Sequence, residues 1–130
     1  MRIPEARFRG FWAVLALAVA TFILYESTRS RGDPTVPDLT TDEAYVGHLA
    51  VYAVLGFCAL TAAFARRWRT LIATVVTAGL FGVCIEAYQS TIDGREASAY
   101  DALANLTGAA LGAAIAYAIM PRWKPLFREP

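Results

Sequence analysis

Glu86 and Gln89 close one long apolar run of this sequence, and Asp101 and Asn105 open the next. Between them lies a short polar loop with an Asp93-Gly94 turn and Arg95. The single histidine, His48, sits in an earlier apolar run, four residues before Tyr52. These residue types can hold an anion and move a proton. Arg95 and His48 suit an anionic head group. Glu86, Asp101 and His48 are the candidate catalytic groups for acid–base work. At the bilayer centre a charge costs about 2.5–3.5 kcal/mol on insertion scales, so such residues usually face one another or a wet cavity.

Other chemistries find no pattern. No serine or cysteine nucleophile stands with a base, and no glycine loop could cradle a phosphate. No set of metal ligands has a known spacing, and one histidine cannot build a histidine-rich zinc site. We therefore expect no metal and no cofactor, and whether the protein is an enzyme stays open. Cys58 and Cys84 both lie inside apolar runs and read as small buried packing residues. A net charge of +1 leaves no large basic surface, which argues against nucleic acid as a partner. At 57% hydrophobic and 18% charged, the chain is too apolar for an ordinary soluble domain.

The elements that must position these groups are four membrane-length helices in a single domain over residues 1–130. The expected spans are about 8–25, 44–65, 70–89 and 102–120, each matched to a bilayer core of about 30 Å. A basic start followed by an apolar run also describes a secretory signal, with Ala18-Val19-Ala20 as the cleavage spacing. Cleavage there would fall inside a run that continues to Tyr25, so a retained helix is the better reading. Residues 26–43 hold Pro34 and Pro37 and form the longest polar connection. Thr40 with Glu43 resembles a capping box, so the second helix should begin near Thr41. That puts His48 about two turns in, roughly 10 Å from the helix start. Ser98 with Asp101 is a second candidate box. The fourth helix should end near Met120, before Pro121. Gly108 and Gly112 make a small-xxx-small face, read as helix packing.

Nine of the twelve basic residues fall at the N-terminus, in the 66–69 loop and in the tail, all on one side of a four-helix layout. That side should be the cytoplasm, with both termini inside. His48, Glu86, Gln89, Arg95, Asp101 and Asn105 then share one depth on the outer face.

Each residue also has a structural alternative. Asp101 can simply cap the fourth helix. Glu86 can pair with Arg95, His48 can bond to Glu86 or Asp101, and Asn105 can make an interhelical hydrogen bond.

The sequence resembles the VanZ family of small membrane proteins. The matching pieces are Gly47-His48 with Tyr52 and Leu55-Gly56, then Glu86-x-x-Gln89. Gly94-Arg95 with Ser98 follows, then Asp101-x-x-x-Asn105-x-x-Gly108 and Gly112. The resemblance implies a polytopic protein of the cell envelope. The family takes its name from an accessory factor for low-level resistance to the glycopeptide teicoplanin. Its polar positions fall on His48, Glu86, Gln89, Arg95, Asp101 and Asn105. Relatives often carry an Asp-Lys pair just before the histidine, where this chain has Ala44-Tyr45. A cation there would have to come from elsewhere, with Arg29 and Arg31 as candidates.

The expectation is thus an all-α four-helix transmembrane bundle in the cytoplasmic membrane, N-in and C-in. Its outer-face residues His48, Tyr52, Glu86, Gln89, Arg95, Asp101 and Asn105 would bind membrane lipids or lipid-linked envelope precursors. The alternatives are an enzyme modifying a lipid head group, or a structural subunit or chaperone with a membrane-protein partner or a second copy of itself.

Overall fold

In a computed structural model, which describes residues 4–29, 39–92 and 96–123 (side chains only as far as 120), the described residues form four helices and no strand. The helices are α1 (Glu5–Ser27), α2 (Thr41–Ala63), α3 (Trp68–Gln89) and α4 (Ala99–Trp123). They contain 22 to 25 residues each. At 1.5 Å per residue that is about 33–38 Å, enough to cross a hydrocarbon core of about 30 Å. All four are long and apolar enough to do so, as a multi-pass membrane protein requires.

Local chemistry sets the ends. Thr40 Oγ1 accepts the Glu43 N–H at 3.3 Å and Glu43 Oε2 accepts the Thr40 N–H at 2.9 Å, which completes the capping box. This starts α2 three residues before the apolar run that betrays it. α4 likewise begins at Ala99, not 102, because Ser98 caps it: its Oγ accepts the Asp101 N–H at 3.1 Å. The expected stop before Pro121 is overrun, and α4 continues to Trp123. In a last turn, a proline's missing N–H removes a single bond. α2 ends at Phe64, a non-glycine residue in the left-handed region with φ 49°. Its ring packs edge-on against Phe8 of α1, centroids 5.6 Å apart.

The burial pattern is that of a protein whose solvent is hydrocarbon. Large apolar side chains point outward on every helix: Leu17 on α1, Val54 on α2, Leu80 on α3 and Ile115 on α4. Inside are small residues, Ala104, Ala109, Ala113 and Ala116, together with the polar Asn105, Thr61, Glu86 and Gln89. Cys58 is buried as expected, but Cys84 is exposed. It lies on the side of α3 opposite Gly82 and Glu86, a helix face that sequence alone could not assign.

The closest approach is between α2 and α4. A Cβ added at Gly108 would strike the Leu49 carbonyl oxygen, one at Gly112 the Ala53 carbonyl oxygen, and one at Gly56 the Ala109 carbonyl oxygen. Backbone thus packs on backbone across this seam. α2 covers the small-residue face of α4, so that face is not open to a partner. α3 joins through Gly82, where a Cβ would come within 2.9 Å of the Asn105 side chain. α1 lies along α2 and touches α3 lightly.

Gly112→Leu and Gly108→Leu should each lower the thermal unfolding midpoint in detergent. The expected cost is that of overpacking, about 1–3 kcal/mol or more, since rigid backbone stands in the way. Gly47→Ala faces open space and should leave the midpoint nearly unchanged.

Candidate functional site

The start of α2, the end of α3 and the start of α4 meet at one end of the bundle. Each contributes a side chain to one point. Ligand-type atoms of His48, Glu86 and Asp101 all lie within 4.8 Å of one another. Glu86 is buried, and His48 and Asp101 are half-buried at the bundle's end. Asn105, fully buried one turn along α4 from Asp101, holds the histidine: its Oδ1 lies 2.9 Å from His48 Nδ1. An amide oxygen can only accept, so Nδ1 carries the proton.

The expected partners of His48, Glu86 and Asp101, are therefore neighbours of the ring, and its hydrogen bond goes to Asn105. Asp101 does not play the full capping role either. A complete box would have its carboxylate accept the Ser98 N–H. That amide instead donates to Glu86 Oε2 at 3.1 Å. A carboxylate from α3 caps α4, where the helix dipole also favours it. Asp101 is left free of that task, and its carboxylate accepts no hydrogen bond from a described residue.

Beneath this layer sits Tyr52, one turn along α2 from His48. It is fully buried, lies within electrostatic reach of Glu86, and its hydroxyl has no hydrogen-bond partner among the described residues. The same is true of Asn105 Nδ2. Gln89 is buried one turn beyond Glu86. Arg95 and the Asp93-Gly94 turn lie outside the described residues, as do Arg31 and the tail from Lys124. Arg29 reaches both oxygens of Glu26 at 3.1 Å, at the end of α1.

The model of the VanZ/LLP1 family matches residues 4–120. That span includes every candidate residue from His48 to Gly112. The chain belongs to the VanZ/LLP1 family. No curated protein and no solved structure matches it.

In this VanZ-family membrane protein the rim of the cluster is aromatic. Tyr45, at the position where the resemblance leads one to expect lysine, packs on Tyr100 with ring centroids 5.3 Å apart. An amphipathic ring at a helix end suits the membrane–water boundary. The Glu86–Ser98 bond is the contact that sequence reasoning missed. The box pattern at Ser98 was legible, but it pointed to Asp101 for the return bond.

Two checks follow from these bonds. Glu86→Ala should speed hydrogen exchange at the Ser98 amide, read by NMR in detergent, whereas Glu86→Gln keeps an acceptor oxygen and the protection. Asn105→Leu should destabilise the fold by about 1–3 kcal/mol in detergent unfolding, because the half-buried His48 Nδ1–H loses its acceptor.

Proposed function

We propose that this VanZ-like protein binds the polar, anionic part of a lipid or lipid-linked envelope precursor in the cluster around His48. In this reading the protein sits in the cytoplasmic membrane with both termini inside. The cluster faces the outer lipid boundary. A site there would meet the lipid phosphates and lipid-linked sugars of the envelope, and this is how it would bear on low-level glycopeptide resistance, the trait the family is named for.

One observation carries the reading. Three helices bring polar groups to one point, and two of those groups find no partner among the described residues. The Tyr52 hydroxyl and Asn105 Nδ2 are buried without a described partner. A lock whose sole task was to hold helices together would saturate its own hydrogen bonds, because unmade ones cost about 1–3 kcal/mol each. Unspent donors at a bundle end are what a ligand with acceptor oxygens would use. The structural reading has its own support in the His48–Asn105 bond, which ties α2 to α4.

Native mass spectrometry of the protein released from its own membranes separates the two. Wild type should retain a discrete lipid or lipid-linked sugar, and Asp101→Ala and Arg95→Ala should lose it while keeping their helix content and yield. Asp101 is the better probe than Glu86, since Glu86 also caps α4. No retained ligand in wild type, or variants whose defect is lower abundance, would favour the structural reading.

A further inference from the structure

The described part of this cluster has the wrong sign for an anion. It presents two carboxylates and one imidazole, and Arg29 is engaged with Glu26. Yet the same three side chains have the composition of a metal site. We propose that His48, Glu86 and Asp101 bind one divalent transition cation, and that this ion supplies the positive charge that an anionic head group needs.

The geometry argues for it in four ways. First, one ligand-type atom from each residue falls within a 4.8 Å spread, which small side-chain rotations can close around an ion with bonds of about 2.0–2.2 Å. Second, the histidine is prepared in the manner of a metal ligand. Its Nδ1–H is bonded to the Asn105 carbonyl at 2.9 Å, which leaves Nε2 with the lone pair. Third, Glu86 is held through Oε2 by the Ser98 amide, so its orientation is set by the fold. Asp101 is released from capping and accepts no hydrogen bond from a described residue. Fourth, two fully buried groups beside the trio, the Tyr52 hydroxyl and Asn105 Nδ2, have no described partner. Both can donate to oxygen atoms carried by an ion: waters, or the phosphate of a head group.

The donor set narrows the class. One imidazole nitrogen with two carboxylates suits zinc or manganese, while magnesium and calcium prefer oxygen alone. Three protein ligands leave coordination positions open, as sites that take up a further ligand do. The half-burial of His48 and Asp101 gives the ion a way in. No ligand spacing could betray this set in the sequence, because each residue comes from a different helix. The ion's part in holding a head group rests on the proposed function; its binding to the three side chains does not.

The test uses the full chain, purified in detergent without a histidine tag, stripped with chelator and then titrated with Mn2+ and Zn2+. Wild type should retain about one ion per chain by elemental analysis after gel filtration. Asp101→Asn and His48→Gln should bind at least roughly tenfold more weakly, and Asn105→Ala roughly 10–100-fold more weakly through loss of the histidine's support. Cys84→Ser should bind as wild type. Co2+ added to wild type should give a visible spectrum without thiolate charge transfer, a readout that needs no variant to fold. Absence of a retained ion, thiolate bands, or full affinity in a folded Asp101→Asn would overturn the assignment. Native mass spectra with and without chelator distinguish the two readings. An ion bound with no lipid upholds the cation site and defeats the head-group reading. A lipid bound equally well after stripping defeats the ion's part in holding the head group and leaves the head-group reading standing.

Discussion

The bundle depends on how closely α2 can approach α4. Gly56 on one helix and Gly108 and Gly112 on the other remove the side chains that would hold the backbones apart. In hydrocarbon there is no gain from burying one apolar side chain against another, so packing contact and polar bonds must hold helices together. The glycine seam provides the contact. It also sets the distance at which Asn105, one turn from Gly108, reaches His48 across the same seam. A wider seam would part the two groups and break their hydrogen bond. The seam and the polar site are thus two consequences of one helix separation.

The two ends of the bundle differ in a way that follows from the same solvent. At the end away from the cluster, Phe8, Trp12, Phe57 and Phe64 pack edge to face, and Arg9 donates to the Ala62 carbonyl at 3.2 Å. Arg66 lies 4.9 Å above the Tyr117 ring. This end is closed by rings and capped by cations that reach toward water. The cluster end has two carboxylates, an imidazole and the Asn105 amide.

Much of this was legible in the sequence, and what was not has a physical reason. Apolar runs gave the four helices, and the Thr40–Glu43 pair pointed to a start of α2 near Thr41, because both signals are local. Gly108 and Gly112 marked a close contact, though not which helix would fill it. The partners inside the site were harder. Spacing placed His48, Glu86 and Asp101 at similar depth, but depth does not say which acceptor a ring nitrogen meets. That depends on helix rotation, and it gave Asn105. Rotation likewise turned Cys84 outward, on a helix apolar nearly all round.

Glu86 shows why such a site resists being read one residue at a time. By local rules it belongs to the end of α3 and Asp101 belongs to the cap of α4. In the structure the roles are exchanged: Glu86 satisfies the first amide of α4, and Asp101, sitting in that helix's first turn, turns its carboxylate toward the histidine. The exchange joins the two helices more firmly than two self-sufficient ends would be joined. It also divides the labour between the two carboxylates. Glu86 accepts the Ser98 amide of the neighbouring helix, and the Asp101 carboxylate accepts no hydrogen bond from a described residue. A local capping box would have engaged Asp101 with the Ser98 amide, and Glu86 would then have had no part in starting α4.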